Sequence, residues 1–224
     1  MSTLSAKMLF SLFAQCAADI APETLNTVIE VESSHNPYAI AVVYDRNIKE
    51  EYKFKFKQPQ SEEEAQNIIK QLENHPTKHK SYSVGLMQVN SKNFAAYGVD
   101  KTNMFNACKN IEAGAGIFKD CYATAQQNNP NKPEQELLRL AASCYYSGNE
   151  IRGFKKESNG SSYVDRINKS ATKTYKVPAI KPLTESDVSG SSSNEVAIQQ
   201  QTSIQAPQPL PQPKPWDVFG DFRK

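Results

Sequence analysis

The sequence predicts an α+β fold, mainly helical with a small β-hairpin and followed by a disordered, proline-rich C-terminal tail. Three observations lead to this prediction. Apolar residues recur at helical spacing in several segments, one segment alternates between apolar and charged residues, and the composition changes beyond Val177. With 224 residues, the chain is long enough for one domain of ordinary size and an extension.

Five segments are predicted to be helices. The first begins at Pro22, whose fixed φ suits a first helical position, and it ends before Asn36-Pro37. The second begins after Ser61, which has with Glu64 the spacing of a capping box, and it ends at about Asn74. The remaining three are expected at about residues 106–126, from Pro133 to a C-cap at Gly148, and over 162–173.

The β-hairpin is predicted from two neighbouring segments. Tyr38–Tyr44 is rich in β-branched and aromatic residues, and Tyr52–Lys57 alternates apolar and charged residues with a period of two. Paired together, they would form a hairpin with one apolar face. Ser83–Asn90 is expected to be a short extended or turning segment.

The N-terminal segment has two interpretations. Lys7 followed by the apolar run Met8–Ala14 resembles a short secretion signal, and the same residues equally suit a buried N-terminal helix turn. No apolar run reaches the length of a membrane span. The predicted division is therefore 1–19 for the signal or anchor segment, 20–176 for the folded domain and 177–224 for the tail.

Four cysteines are consistent with two disulfides in an exported protein: Cys16, Cys108, Cys121 and Cys144. On one helix Cys108 and Cys121 would lie about 20 Å apart, whereas a disulfide needs Cα atoms within about 7 Å. That pairing is excluded and the other patterns stay open, as does the alternative of buried thiols in a reducing compartment. No pair has metal-ligand spacing, so neither a metal nor another cofactor is expected.

The tail differs from the rest of the chain in composition. Seven of the 13 prolines lie beyond Val177, and such a segment buries too little apolar surface to offset its ordering entropy. Its end carries Trp216, Phe219 and Phe222, which suggest a docking motif for a partner protein; scattered solvated aromatics are the alternative. The net charge of +2 is too small for a nucleic-acid partner.

Glu32 is the candidate for chemistry. It follows Val28 by four residues and Ile29 by three, so it continues the apolar stripe of its helix. Partial desolvation and the negative end of the helix dipole both raise the pKa of such a carboxyl group. The group then keeps its proton near neutral pH, as a general acid must. A glutamate at a helix end is more often a surface or salt-bridged residue, so this pattern alone does not decide.

Further motifs carry a family resemblance over about residues 20–175. The soluble lytic transglycosylase family is similar in four segments, in the same order: Glu32–Pro37 (ESSHNP), Gly85–Asn90 (GLMQVN), Ala141–Gly148 (AASCYYSG) and Tyr163–Ile167 (YVDRI). The third is the looser match, because the family usually has asparagine where this chain has Tyr146.

A subgroup resembles the chain more closely: the transglycosylase component of type IV secretion systems. The similar segments are Asn36–Ile40, Gln58–Ser61, Gly85–Ser91, Cys108–Ile111 and a proline-rich tail ending in Trp216–Phe219. The resemblance implies a lysozyme-like fold, a periplasmic location and a peptidoglycan substrate cleaved between its alternating sugars. It also implies partners among the envelope proteins of a secretion system, bound through the tail.

The family mechanism implies two roles for Glu32. It would first protonate the leaving glycosidic oxygen, and would then take the proton of the C6 hydroxyl of the same muramic sugar, which closes a 1,6-anhydro ring. Ser33 would orient the acid by hydrogen bonding.

The resemblance also implies a set of substrate-binding residues. Gln88, Met87 and the Gly85 backbone would line the floor of the groove. Tyr145 would lie beside the acid and Tyr163 would close the site. Each has a plainer alternative, since Met87 and Tyr145 occupy positions that also suit core residues and Gly85 suits a tight turn.

Two competing functions stay open from sequence. A goose-type hydrolytic lysozyme fits if Asp45, Glu50 or Glu51 in the predicted hairpin supplies a second carboxylate, as glycosidases ordinarily require. A glycan-binding or adaptor protein without turnover would keep the fold. The intact Glu32 disfavours the adaptor, and no aspartate stands in a matching motif, so the cyclising reaction is preferred.

Overall fold

The computed structural model describes residues 3–174, which form six helices around a small sheet. The helices are α1 (Ala6–Cys16), α2 (Pro22–Ser33), α3 (Glu62–Asn74), α4 (Ala107–Asn128), α5 (Glu134–Ser147) and α6 (Tyr163–Thr174). The strands are β1 (Ile40–Val43), β2 (Ser81–Val84) and β3 (Val89–Asn90). The predicted α+β architecture is confirmed, and the tail with its aromatic end lies outside the described residues.

The helix ends are formed by the residues that the sequence suggested. Pro22 is the first residue of α2, and the Ser61 side chain accepts a hydrogen bond from the Glu64 backbone N–H at the start of α3. Gly148 ends α5 in the left-handed conformation, with φ of 74°. The helix predictions are therefore confirmed to within a few residues.

The sheet pairs differently from the prediction. Its order is β1-β2-β3, antiparallel throughout, with Ile40 opposite Val84 and Val43 opposite Ser81. The predicted hairpin is wrong, because Tyr52–Lys57 forms no strand: a 3₁₀ turn covers Glu50–Tyr52 and an irregular segment follows.

The side chain of Gln58 explains this difference. Its amide group donates to the carbonyl of Ile40 and accepts from the Ile40 backbone N–H, at 2.8 and 3.0 Å. One side-chain amide thus satisfies both backbone groups of Ile40, at the edge of β1 where a second hairpin strand would pair. The alternating Phe54 and Phe56 stack on each other, with ring centroids 5.6 Å apart, instead of lining a strand face.

The N-terminal segment forms a helix packed on the domain. Leu9 and Phe13 of α1 are buried in the same core as Ile29 of α2. This matches the buried-helix interpretation of these residues, while export and cleavage of residues 1–19 stay predictions. No helix among residues 3–174 combines the length and apolar composition of a bilayer-spanning segment.

Two disulfides join the helices. Cys16 pairs with Cys108, which ties α1 to α4, and Cys121 pairs with Cys144, which ties α4 to α5. This is one of the patterns that the sequence left open, and the excluded Cys108–Cys121 pairing is absent from the described residues. The links hold α4, the longest described helix, between its two neighbours.

Candidate functional site

Glu32 lies in the last turn of α2, beside the first residue of α6. The Tyr163 hydroxyl donates to Glu32 Oε1 at 2.5 Å. Directly after the acid the chain leaves the helix through Ser34 and His35, both with positive φ. His35 Nδ1 lies 3.1 Å from Glu30 Oε2, which fixes this exit against the helix.

The environment of Glu32 favours the protonated form. Burial raises the pKa of its carboxyl group to about 7, against the opposing effects of the Tyr163 hydrogen bond and the positive charge of Arg166. Glu32 is half-buried and lines the cleft, so its carboxyl group is desolvated and can still be reached by a ligand. The sequence-based expectation of a raised pKa is confirmed, and the group can hold or release a proton near neutral pH.

Two neutral phenols lie near this acid. Tyr163 is 2% exposed, and burial together with the adjacent Glu32 charge raises its pKa well above the usual range. Burial and the Glu32 charge raise the pKa of Tyr145 in the same way, and its hydroxyl donates to the carbonyl of Met87 at 2.5 Å. Both side chains therefore act as hydrogen-bond donors and not as bases.

A cleft of about 450 Å³ opens at Glu32. One face of the sheet forms part of its lining. Alternate residues of a strand, and the residues opposite them on the paired strand, lie on the same face. This face carries small and polar side chains: Ala41, Val43, Ser81, Ser83 and Asn90. The rest of the lining comprises Glu32, Gln88, Val89, Lys92, Asn93, Ile117, Tyr145, Tyr146, Ser147 and Gly148. The cleft is thus open, lined by both polar and apolar groups, and carries few charged side chains.

The turn between β2 and β3 carries Gln88 into this cleft. Gly85 and Gln88 both have positive φ, at 78° and 47°. Asn110 of α4, 1% exposed, accepts from the Met87 backbone N–H at 2.8 Å and donates to the Val84 carbonyl at 2.9 Å. A Cβ atom at Gly85 would collide with the Asn110 side chain. The turn is therefore held from the core side by one buried asparagine.

The structure brings four of the predicted site residues together. Glu32, Gln88 and Tyr145 line the cleft, and Tyr163 reaches the acid from a buried position. The amide nitrogen of Gln88 donates to the carbonyls of Ala39 and Gly85, so its amide oxygen is the part left for a ligand.

Three predicted residues have other placements. The Ser33 hydroxyl donates to the carbonyl of Ile29 at 3.1 Å and not to the acid, because a serine within a helix easily bonds four residues back. Met87 is fully buried and Gly85 is buried beneath the turn. None of the three is part of the cleft lining. Met87 thus occupies a core position and Gly85 a tight turn, which were the plainer alternatives from sequence.

Sequence reasoning missed two groups of residues. The alternation of Ser81, Tyr82, Ser83 and Val84 places small polar residues on one face of β2, and this signal could have identified the sheet side of the cleft. Asn110 stood in a noted motif, but nothing local indicated that its side chain supports a turn 23 residues earlier in the chain.

Glu32 is the one carboxylate among the described residues that line the cleft. Asp45, Glu50 and Glu51 do not line it, and Asp45 instead lies 3.5 Å from Lys80. Within residues 3–174, no group of three or more histidine, cysteine or acidic side chains is arranged to hold a metal ion. A further hollow of about 550 Å³ lies at the opposite end of α2 and contains none of the predicted site residues.

Comparisons with known proteins identify the family of this chain. The model of the transglycosylase SLT domain matches residues 10–168. The type IV secretion system protein virB1 of Brucella suis biovar 1 is 40% identical over 172 residues, which are 77% of this chain and 67% of that protein. Protein virB1 of Rhizobium radiobacter is 29% identical over 210 residues, 94% of this chain and 71% of that protein. No solved structure matches. A family match across most of the chain, enclosing the cleft around Glu32, shows that this protein belongs to the transglycosylase SLT-domain family.

Proposed function

We propose that this protein is a peptidoglycan lytic transglycosylase, a glycan lyase that cleaves the bond between N-acetylmuramic acid and N-acetylglucosamine. One observation carries the reaction type. Glu32 is the single carboxylate of the described cleft, and its pKa of about 7 allows it to give and take a proton. A hydrolase with two catalytic carboxylates would need a second acid at about 5–10 Å.

In the first step, protonated Glu32 donates its proton to the glycosidic oxygen. The bond from C1 of the muramic sugar to that oxygen breaks, and the glucosamine unit leaves with a new hydroxyl group. The Tyr163 hydroxyl stabilises the carboxylate that remains, because it donates to Oε1 at 2.5 Å.

In the second step, the Glu32 carboxylate accepts the proton of the C6 hydroxyl of the same muramic sugar. The C6 oxygen attacks C1 and closes the 1,6-anhydro ring, so no water is consumed. Glu32 ends the cycle protonated. A pKa near the working pH makes the same group an adequate acid in one step and an adequate base in the next.

The glycan strand would lie along the polar face of the sheet. We assign substrate contacts to the amide oxygen of Gln88, to Asn90 and to the Tyr145 ring, which line the cleft. Of the remaining predicted residues, Gly85 and Met87 act through the turn that presents Gln88, and Ser33 through the end of α2 that carries the acid.

The relatives' names support a proposal for the biological setting. The relative from Brucella suis is named a type IV secretion system protein virB1 and is 40% identical over 77% of this chain. We therefore place the protein in the periplasm, where local opening of the wall makes room for a secretion apparatus. We further propose that Trp216, Phe219 and Phe222 of the tail bind other envelope proteins of that apparatus.

Product analysis tests the reaction. Purified cell wall incubated with the protein should release muropeptides with anhydro ends, lighter by one water than hydrolytic products, as mass spectrometry would show. Glu32→Gln should lower this release by at least ~10²-fold, because it removes the transferable proton. Glu23→Gln, at the other end of the same helix, is the matched control and should retain activity. Reducing ends in place of anhydro ends, or undiminished release by Glu32→Gln, would contradict the proposal.

A further inference from the structure

Glu157 holds two groups with its two carboxylate oxygens. The Tyr146 hydroxyl donates to Oε1 at 2.5 Å, and Arg166 Nη1 donates to Oε2 at 2.6 Å. Tyr146 lies in the last turn of α5 and Arg166 in the first turn of α6. One side chain thus connects the helix end that borders the cleft with the helix that carries Tyr163.

Both groups also contact the ring of Tyr163. The Tyr146 ring stacks on it, with centroids 4.6 Å apart and planes inclined by 12°. The central guanidinium carbon of Arg166 lies 5.6 Å from the centroid of the same ring. The position of this ring matters because its hydroxyl is the one that bonds Glu32.

Glu157 is itself fixed by its loop. Its backbone N–H donates to the carbonyl of Ser161, and its carbonyl accepts from the Gly160 N–H, at 3.1 and 2.9 Å. The hydrogen bonds from Tyr146 and Arg166 hold the pKa of Glu157 below its usual range, so it is an ionised acceptor at neutral pH. Arg152 is the other charge that acts on Glu157 and Tyr146.

We propose that Glu157 is a positioning residue that keeps the Tyr163 hydroxyl on Glu32 by holding Tyr146 and Arg166 against the Tyr163 ring. The inference deepens the proposed function and rests on it for the role of Glu32. A carboxylate suits this position because it accepts from both donors at once. Loss of either hydrogen bond frees one of the two groups that confine the ring.

The expected consequence for Glu32 is a higher pKa. The Tyr163 hydrogen bond and the Arg166 charge both lower the pKa of Glu32, against burial, which raises it. Loosening the Tyr163 ring should therefore raise the pKa of Glu32 and move the alkaline limb of the activity profile to higher pH. Tyr145 also acts on Tyr163, and burial raises the pKa of its hydroxyl, so it is neutral over this range.

Glu157→Gln is the test, with Asp120→Asn as its matched control. The glutamine keeps the size but offers one acceptor oxygen for two donors. Asp120 accepts a tyrosine hydroxyl at 2.5 Å as well, from Tyr97, but lies outside the cleft lining. We expect turnover of glycan strands to fall about 10-fold in Glu157→Gln, with KM little changed, since small misplacements in a site cost rate more than binding. Asp120→Asn should keep the wild-type rate.

A second readout does not depend on activity. Carboxyl carbon shifts from NMR of protein labelled at glutamate side chains follow the titration of Glu32, assigned by its absence in Glu32→Gln. The Glu32 titration should move upward in Glu157→Gln and stay in place in Asp120→Asn. If the wild type releases no anhydro products but this upward shift appears, the proposed function fails and the positioning role stands.

A double-mutant cycle separates positioning from a merely structural link. In a Tyr163→Phe background, which lacks the hydroxyl, Glu157→Gln should cause no further fall in turnover. The proposal would be overturned if Glu157→Gln lowered turnover equally in both backgrounds. It would also be overturned if Glu157→Gln kept the wild-type rate and the wild-type titration of Glu32. Should Glu157→Gln fold poorly, Tyr146→Phe keeps the ring stack and removes one hydrogen bond. It should shift the Glu32 titration in the same direction by a smaller amount, and an unshifted titration would refute the role.

Discussion

Replacing Glu32 by glutamine should stabilise the protein at alkaline pH. The glutamine oxygen can still accept the Tyr163 hydrogen bond, so the substitution mainly removes the ionisable proton. The pKa of Glu32 rises from an ordinary 4.5 to about 7 in the folded protein. At 1.36 kcal/mol for each pKa unit, this corresponds to about 3 kcal/mol.

The sign follows from proton linkage. Because the folded protein binds this proton more tightly than the unfolded chain, the contribution to stability is complete below about pH 4.5. It is lost as pH rises through the folded pKa of about 7. Glu32→Gln has no such loss, so its stability relative to the wild type should increase by about 3 kcal/mol between pH 4 and pH 8.5.

Urea unfolding of both proteins at four or five pH values measures this difference, because the contributions of all other groups cancel. In thermal unfolding the same change corresponds to roughly 6–12 °C for a domain of this size. Asp165→Asn is a control of opposite sign, since hydrogen bonds from Ser162 lower the pKa of Asp165. The loss of stability caused by Asp165→Asn should be present at neutral pH and disappear on acidification. A pH-independent difference for Glu32→Gln would show that this carboxyl group is solvated in the folded state and would refute the basis of the acid assignment.

Two further predictions concern the support of the site and the tail. Asn110→Ala should lower the free energy of unfolding by about 3 kcal/mol, because it leaves the buried N–H of Met87 and the carbonyl of Val84 without partners. Urea denaturation measures this loss, with substitution of the exposed Asn67 by alanine as the control. A loss under about 1 kcal/mol would contradict the prediction. Deleting residues 178–224 should spare glycan cleavage but weaken capture of envelope partners in pull-down experiments, and equal capture with and without the tail would refute docking through it.

Local patterns were sufficient for the helices and for the burial of Glu32. Pro22, Ser61 and Gly148 determine helix ends through their own backbone and side-chain geometry, which needs no tertiary partner. The spacing of Glu32 from Val28 and Ile29 likewise placed the carboxylate on the buried side of α2, and its raised pKa follows from that burial.

Strand pairing depended on a contact that local patterns do not contain. The alternation of Tyr52–Lys57 suits a strand, yet the Gln58 side chain bonds the backbone N–H and carbonyl of Ile40, on the edge of β1 where such a strand would pair. The same limit applies to Asn110, because its side chain supports backbone groups of a turn that is distant in sequence. For Ser33, the family resemblance implied a hydrogen bond to the acid, whereas its hydroxyl donates to the Ile29 carbonyl within its own helix.

Tyr146 shows how a departure from a family pattern can be understood physically. The related motif usually has asparagine there, which offers no aromatic ring to stack on Tyr163 and no phenol to reach Glu157. In this chain the ring and the hydroxyl of Tyr146 are both used, one against Tyr163 and the other on Glu157. We therefore expect residues 146 and 157 to act together, since substituting either one removes the hydrogen bond between them. The acid in α2 thus depends on a loop 125 positions later in the chain, through contacts that only the folded structure brings together.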